Sequence, residues 1–167
     1  RHVMNRQDID AVWVVTPDHW HPLLTIMGCQ AGKDVYVEKP VCTTIEEGRA
    51  MVKAARRYGR VVQVGTQHRS MDVFKETMRI VKQGELGDIT SATAWIGTNG
   101  HQGIEHKQAP PEDLDWDLWL GPAPWAEYSP ERQFGFMGWQ DYARGGELTN
   151  WGVHLMDVLH WGIGEDR

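Results

Sequence analysis

The sequence has only two cysteines, Cys29 and Cys42, and they form no C-x-x-C pair. Neither a disulfide framework nor a cysteine-based zinc site is therefore expected. Basic side chains are also outnumbered: 17 Lys and Arg stand against 23 Asp and Glu, a formal net charge of −6. An acidic chain of this kind is not expected to bind nucleic acid. No apolar run is long enough to cross a membrane and no signal sequence is visible, so we expect a cytoplasmic protein without a membrane partner.

The sequence also lacks the G-x-G-x-x-G turn that follows the first strand of a dinucleotide-binding fold. The nearest imitation is formed by Gly97, Gly100 and Gly103, and it is followed by the pair Pro110–Pro111 rather than by a helix. We interpret these glycines as part of a flexible loop and not as a phosphate cradle.

The first third of the chain does contain an alternation of short apolar strands and helices. Such an alternation with short loops is typical of a parallel sheet with crossover helices, so the fold class is α/β. Strands are predicted at Ile9–Val15, Val35–Val37 and Val61–Val64, and helices from Pro22 to Ala31 and from Thr43 or Thr44 to Gly59.

Beyond residue 68 the pattern is less regular. A helix is predicted from Asp72 to Gln83, and the alternation from Ile89 to Ile96 predicts a strand. The stretch from Gly97 to Arg144 contains five prolines and predicts irregular structure, which in a compact domain is often a binding loop. A last helix is predicted from Glu147 to about Gly162.

The stretch Val35–Pro40 ends the second strand with an acid, a base and a proline. Pro40 has no N–H to donate to a central ladder, so the strand stops and presents Glu38 and Lys39 at its C-terminal end. Ligands bind at that edge in open α/β sheets. A lysine held there near apolar walls can act as an acid/base catalyst, and the alternative is a solvated lysine beside a salt-bridging glutamate.

The last predicted helix carries a second group of polar residues. At about 100° per residue, Asn150, His154, Asp157 and Trp161 fall within a stripe roughly 60° wide. A single histidine on a helix is more often a hydrogen-bonded interior residue than a site residue. Four polar or aromatic side chains on one narrow stripe favour a site.

Nine tryptophans are many for 167 residues, and six of them lie between Trp116 and Trp161. Aromatic rings can stack on the apolar face of a sugar, but they also fill cores. Both interpretations apply to Trp116, Trp119, Trp125, Trp139 and Trp151.

Taken together, three segments resemble the Gfo/Idh/MocA oxidoreductase family: T-P-D-H-W-H at 16–21, E-K-P at 38–40 and G-G-E-L-T-N-W-G-V-H-L-M-D at 145–157. The resemblance implies an NAD(P)-binding Rossmann domain joined to an α/β substrate domain with an open sheet. It also implies NAD or NADP as cofactor, a sugar-like small-molecule substrate and a homo-oligomer. By the same resemblance the chain is a fragment. Residues 1–68 would be the C-terminal half of the Rossmann domain, and residues 69–167 the start of the substrate domain.

The resemblance also implies roles for single residues. Lys39 would be the catalytic lysine, with His154 as its partner near the reacting hydroxyl and Asn150 beside them. The family pattern often has an aspartate at position 150. An asparagine can orient a neighbour but cannot stabilise an imidazolium by charge. The acid/base role is therefore expected to fall more on Lys39 than on His154. The substrate would contact Asp157, Trp151 and Arg69, and the cofactor would lie along Thr16, Pro17, His19, His21, Glu38, Lys39, Pro40 and Gln67.

Two alternatives remain open, and no metal ligand is part of the main interpretation. The first is redox-assisted elimination, epimerisation or glycoside cleavage, as in some relatives, sometimes with a metal. His154, Asp157 and His160 would be its ligands, with His19 and His21 converging on them. The second is a non-catalytic sugar- or nucleotide-binding relative, which the asparagine in place of an aspartate suggests.

Overall fold

The computed structural model describes residues 2–97 and 104–164 and confirms the α/β fold of the first half. Its three strands pair in parallel in the order β1-β2-β3, with Val12 opposite Val35 and Val35 opposite Val62. The three strands and two crossover helices predicted before residue 68 are present. In chain order the elements are α1 (His2–Asn5), β1 (Ala11–Val14), α2 (His21–Gln30), β2 (Asp34–Val37), α3 (Ile45–Tyr58) and β3 (Val62–Val64).

The two faces of the sheet have different surroundings. Valines at alternate positions, such as Val14, Val35 and Val37, point to one face and are buried against α2 and α3. The opposite face carries Trp13 and Tyr36 and forms an open concavity of about 670 Å³. The helices therefore cover one face of the sheet, and the other is open in the described part of the chain.

Helix α3 begins at a capping box, which fixes the start of the crossover between β2 and β3. The side chain of Thr44 accepts a hydrogen bond from the Glu47 amide at 3.2 Å, and Glu47 Oε2 accepts one from the Thr44 amide at 2.9 Å. The sequence allowed either Thr43 or Thr44 as the capping residue, and in the structure the cap is Thr44. The helix ends at Gly59, whose φ of 59° is easily adopted only by glycine.

The second half of the described chain is helical. A membrane span requires a length and a hydropathy that none of the helices in the described ranges reaches. The helices are α4 (Asp72–Lys82), α5 (Trp116–Leu120), α6 (Pro130–Phe134), α7 (Gly146–Asn150) and α8 (Gly152–Ile163), and 3₁₀ turns lie at Asp18–Trp20, Gln67–Ser70 and Phe136–Gly138.

Two expectations for this half need correction. The strand predicted from Ile89 to Ile96 is wrong, because those residues are described and form no strand. Alternation alone does not make a strand: its backbone groups need a neighbouring strand, and none pairs with this segment in the described residues. The stretch predicted as irregular contains α5 and α6, since the side chains of Asp115 and Ser129 cap them.

A second core holds this helical half together. Trp116, Leu120, Tyr128 and Tyr142 are buried in it, and Trp119 packs against them. The Trp119 carbonyl oxygen also receives bonds from the 3₁₀ turn after β1, which connects this core to the sheet.

Candidate active site

Lys39 lies in the turn after β2 and reaches the second half of the chain. The strand ends at the fully buried Val37, and the Lys39–Pro40 peptide bond is cis. The Lys39 ammonium group donates a hydrogen bond to Oδ1 of Asn150, which is 8% exposed at the end of α7. The expected meeting of the strand end with the polar helix stripe is therefore found, 111 residues apart in sequence.

His154 is 3% exposed in the first turn of α8. Its ring centroid lies 4.8 Å from that of His68 and 6.3 Å from that of Trp151. Its Nδ1 has no hydrogen-bond partner in the described part of the chain. Burial lowers the pKa of His154, and the positive charges of His68 and Lys39 lower it further. A lowered pKa keeps the resting imidazole unprotonated, so it is available as a base for a proton from a ligand.

Asp157, one turn further along α8, is paired with Arg69. The Arg69 Nε lies 3.0 Å from one carboxylate oxygen and 2.8 Å from the other. The guanidinium also lies 5.6 Å from the ring centroid of Trp161, with Lys82 Nζ at 5.8 Å from the same ring. The single last helix predicted from Glu147 is divided at Trp151, so Asn150 ends α7 whereas His154, Asp157 and Trp161 lie on α8. The substrate roles of Asp157, Arg69 and Trp151 stay predictions.

A buried histidine joins two loops at the carboxyl edge of the sheet. His21 places Nδ1 2.7 Å from the Pro40 carbonyl oxygen and Nε2 2.8 Å from that of Thr16. Burial lowers the pKa of His21, against the opposite effect of the two carbonyl groups. His19 places Nε2 3.1 Å from the Trp119 carbonyl oxygen. Both rings therefore meet backbone of this chain, and their predicted contact with a cofactor stays a prediction.

The same edge offers groups that fit a dinucleotide. The buried hydroxyl group of Thr16 has no hydrogen-bond partner in the described residues. The Glu38 carboxylate packs directly against the backbone of Gly65, because a β carbon there would lie 2.8 Å from Glu38 Oε2. The Lys39 amide donates to the same oxygen at 3.3 Å. Gln67 follows in the exposed turn after β3, so most of the residues predicted along the cofactor lie at one sheet edge.

Asp18 is a buried carboxyl group that the sequence argument did not place in the site. It follows Pro17 at the start of a 3₁₀ turn and is 5% exposed. Burial raises its pKa to about 7, and the positive charge of Lys39 opposes that shift. A second group that can exchange a proton near neutral pH therefore lies within electrostatic reach of the lysine.

His68 and Met137 are two further neighbours that the sequence argument missed. His68 stands between the predicted site residues Gln67 and Arg69, and that position was the signal that could have identified it. Met137 Sδ lies 2.9 Å from Nδ2 of Asn150, but it comes from a stretch in which no sequence pattern predicts a contact.

The tryptophans divide into two groups. Trp116, Trp119 and Trp139 belong to the second core, which confirms packing for these three. Trp125 and Trp151 are 72% and 61% exposed and keep an aromatic face available.

The alternative chemistry with a metal would need a cluster of ligand side chains. Within the described ranges, no group of three or more His, Cys, Asp or Glu side chains is placed to hold a metal ion. Asp157, one of the three helix residues considered, is paired with Arg69 instead. His19 and His21 do not converge on His154, because their Nε2 atoms contact the carbonyl groups of Trp119 and Thr16.

Two family models match the chain and together cover most of it. The first describes an oxidoreductase family with an NAD-binding Rossmann fold and matches residues 1–66. The second describes the C-terminal alpha/beta domain of an oxidoreductase family and matches residues 79–167. The Rossmann origin of the three-stranded sheet is thus supported independently of the strand pattern.

Individual proteins agree with these matches. The chain is 33% identical over 85 residues to scyllo-inositol 2-dehydrogenase (NAD(+)) of Bacillus subtilis, covering 51% of this chain and 25% of that protein. It is 38% identical over 82 residues to 1,5-anhydro-D-fructose reductase of Ensifer adhaerens, covering 48% and 24%. The myo-inositol 2-dehydrogenase structure from Lactobacillus plantarum shares the fold, with a TM-score of 0.63 at 22% identity over 96% of this chain and 39% of that one. The matches span about a quarter of the length of these curated relatives.

Proposed function

Since this chain belongs to the Gfo/Idh/MocA oxidoreductase family, we propose that the whole protein is an NAD(P)-dependent dehydrogenase. Its substrate would be a hydroxyl group of a sugar, a cyclitol or a related compound. The observation that carries the proposal is the hydrogen bond from Lys39 to Asn150, which brings a cationic acid/base group to the end of α7, directly before the helix α8 that holds His154. The relatives support the substrate class, because one is named for an inositol and another for an anhydro sugar.

The reaction needs one hydride and one proton to leave the substrate. When bound, the nicotinamide supplies the hydride acceptor, and the protein positions the substrate and handles the proton. The hydroxyl proton passes to the unprotonated ring of His154 or to Lys39 in its uncharged amine form, since an ammonium group cannot accept a proton. Asn150 orients Lys39 by accepting its hydrogen bond and adds no charge.

The dinucleotide would lie along the carboxyl edge of the sheet, as ligands do in open α/β folds. The unpartnered hydroxyl of Thr16 supports this placement. The cofactor is NAD or NADP. The homo-oligomer and the cytoplasmic location stay predictions.

The proposal is tested with the full-length protein and the variant Lys39→Ala. Removing one acid/base group is expected to lower kcat by about 10² to 10⁴-fold, because proton transfer then falls to water. Turnover is followed by the absorbance of the reduced nicotinamide on a panel of inositols and anhydro sugars. Circular dichroism checks that the fold is kept.

The matched control is Lys53→Ala, because Lys53 is an exposed lysine on α3. It is expected to keep wild-type turnover. Equal activity of both variants would reject the role of Lys39. Product formation without net release of reduced nicotinamide would instead show redox-assisted elimination or epimerisation.

A further inference from the structure

His68 is held between an aromatic ring and the site histidine. Its ring stacks on Phe74 at 4.4 Å between centroids and 15° between planes. On the other side it meets His154 at 4.8 Å and 37°. The Nδ1 atoms of both histidines are buried and have no hydrogen-bond partner in the described part of the chain. Nothing in the sequence argument or in the proposed reaction uses His68.

Two imidazoles at this separation cannot be protonated independently. A proton on one ring raises the free-energy cost of a proton on the other, and burial strengthens the repulsion because the effective dielectric constant is low. The same consequence does not follow for Phe74, which only supplies a flat surface. His68 therefore has both a packing contact and an electrostatic effect on its neighbour.

Other charged groups also face His154, and they act in both directions. Lys39 adds a second positive charge, whereas Glu38 and Asp157 favour the protonated ring. Asp157 is paired with Arg69, which offsets part of its charge. After burial, His68 has the largest effect in lowering the pKa of His154.

We propose that His68 is a positioning residue for the proton acceptor: its ring lies in contact with both Phe74 and His154 and couples its own protonation to that of His154. This inference takes its functional meaning from the proposed dehydrogenase reaction. The imidazole pair itself exists without turnover, so it can be tested separately.

The test titrates the His154 ring by NMR in the full-length protein. The variants are His68→Gln, which removes the titratable neighbour, and His68→Lys, which makes the positive charge permanent. His154→Gln identifies the resonance. We expect the midpoint of His154 to rise by about half to one pH unit in H68Q and to fall by a similar amount in H68K. A purely structural role would move both variants the same way or neither.

A shift in the same direction in both variants, or no shift, would overturn the proposal. If the lysine variant does not fold, the rise in H68Q alone decides, because glutamine is neutral and polar. The control His106→Gln removes an exposed histidine that is paired with Glu131, and it is expected to leave His154 unchanged. If the two variants shift the His154 midpoint in opposite directions but the protein oxidises no sugar, the coupling of His68 and His154 is supported and the proposed dehydrogenase function is contradicted.

Discussion

At the scale of single residues, Asn150 sets how Lys39 is held. Its carbonyl oxygen accepts a hydrogen bond from the Lys39 ammonium group, and its amide nitrogen lies 2.9 Å from Met137 Sδ. Asn150 is 8% exposed, so its hydrogen bond to Lys39 is shielded from most of the solvent. A neutral partner leaves the full positive charge of Lys39 available to a ligand.

We expect Asn150→Asp to retain or raise activity and to move its pH profile. The new carboxylate would favour protonated His154, so its pKa rises. A base must be unprotonated to work, so the acidic limb of the kcat profile is expected to shift to higher pH by about one unit. Steady-state rates between pH 5 and 9 measure the shift. An inactive variant that still binds cofactor would contradict a shared site for the two residues.

Lys39, Asn150 and His154 could be predicted from sequence because each has a local signal. Lys39 follows a strand and precedes a proline, and the other two are four residues apart in a stretch with helical periodicity, although the structure places them on α7 and α8. Met137 had no such signal, since its contact with Asn150 depends on how a loop folds back. Asp18 was visible as a residue, but its burial was not.

At the scale of elements, helix α8 is fixed to the turn after β3 by its polar stripe. Asp157 is bound by both carboxylate oxygens to Arg69, whose guanidinium also lies over Trp161. The pair is partly buried, with 18% of the Asp157 side chain exposed. It thus holds in place the helix that carries His154.

We predict that Arg69→Met lowers the free energy of unfolding by about 1 kcal/mol. The loss in kcat, expressed as an increase in activation free energy, is expected to be larger than this loss of stability. The reason is that α8 loses a two-point contact next to His154. Thermal unfolding and kcat are measured on the same full-length preparation. The control is Arg79→Met, which breaks exposed contacts with Glu76, Gln83 and Glu85. It should leave kcat unchanged and change stability less than Arg69→Met does.

Prediction of elements succeeded where local chemistry was sufficient. The capping box at Thr44 and the glycine at position 59 fix the two ends of α3, and both signals lie in the local sequence. It failed from Ile89 to Ile96, because a strand is defined by partners that the local sequence does not contain. It also missed α5, whose capping residue Asp115 lies in a stretch dominated by prolines.

At the scale of the whole molecule, the sheet has one covered and one open face. The open face is lined by Ala11, Trp13, Tyr36 and Val61 around a concavity of about 670 Å³. Trp13 is 68% exposed there, with its ring in edge contact with Tyr36 at 5.6 Å. Contiguous apolar surface of this kind promotes association.

The isolated 167-residue polypeptide is therefore expected to self-associate through this face. We predict that Trp13→Glu shifts it toward the monomer and reduces binding of a hydrophobic dye, because a charge interrupts the apolar surface. Sedimentation velocity and dye fluorescence measure the two effects. Trp95→Glu is the control, since Trp95 is 80% exposed but does not line the concavity. Equal effects of both variants would show that any exposed tryptophan suffices.

The ring of His21 bridges two loops at the carboxyl edge of the sheet. One of its nitrogens is bound to the loop that begins at Thr16 and the other to the peptide unit that follows Lys39. A displacement of either loop is transmitted through a rigid five-membered ring to the other. Docking of a ligand on the Thr16 side would thus shift the lysine as well, so that arrival of one reactant tunes the group that meets the second.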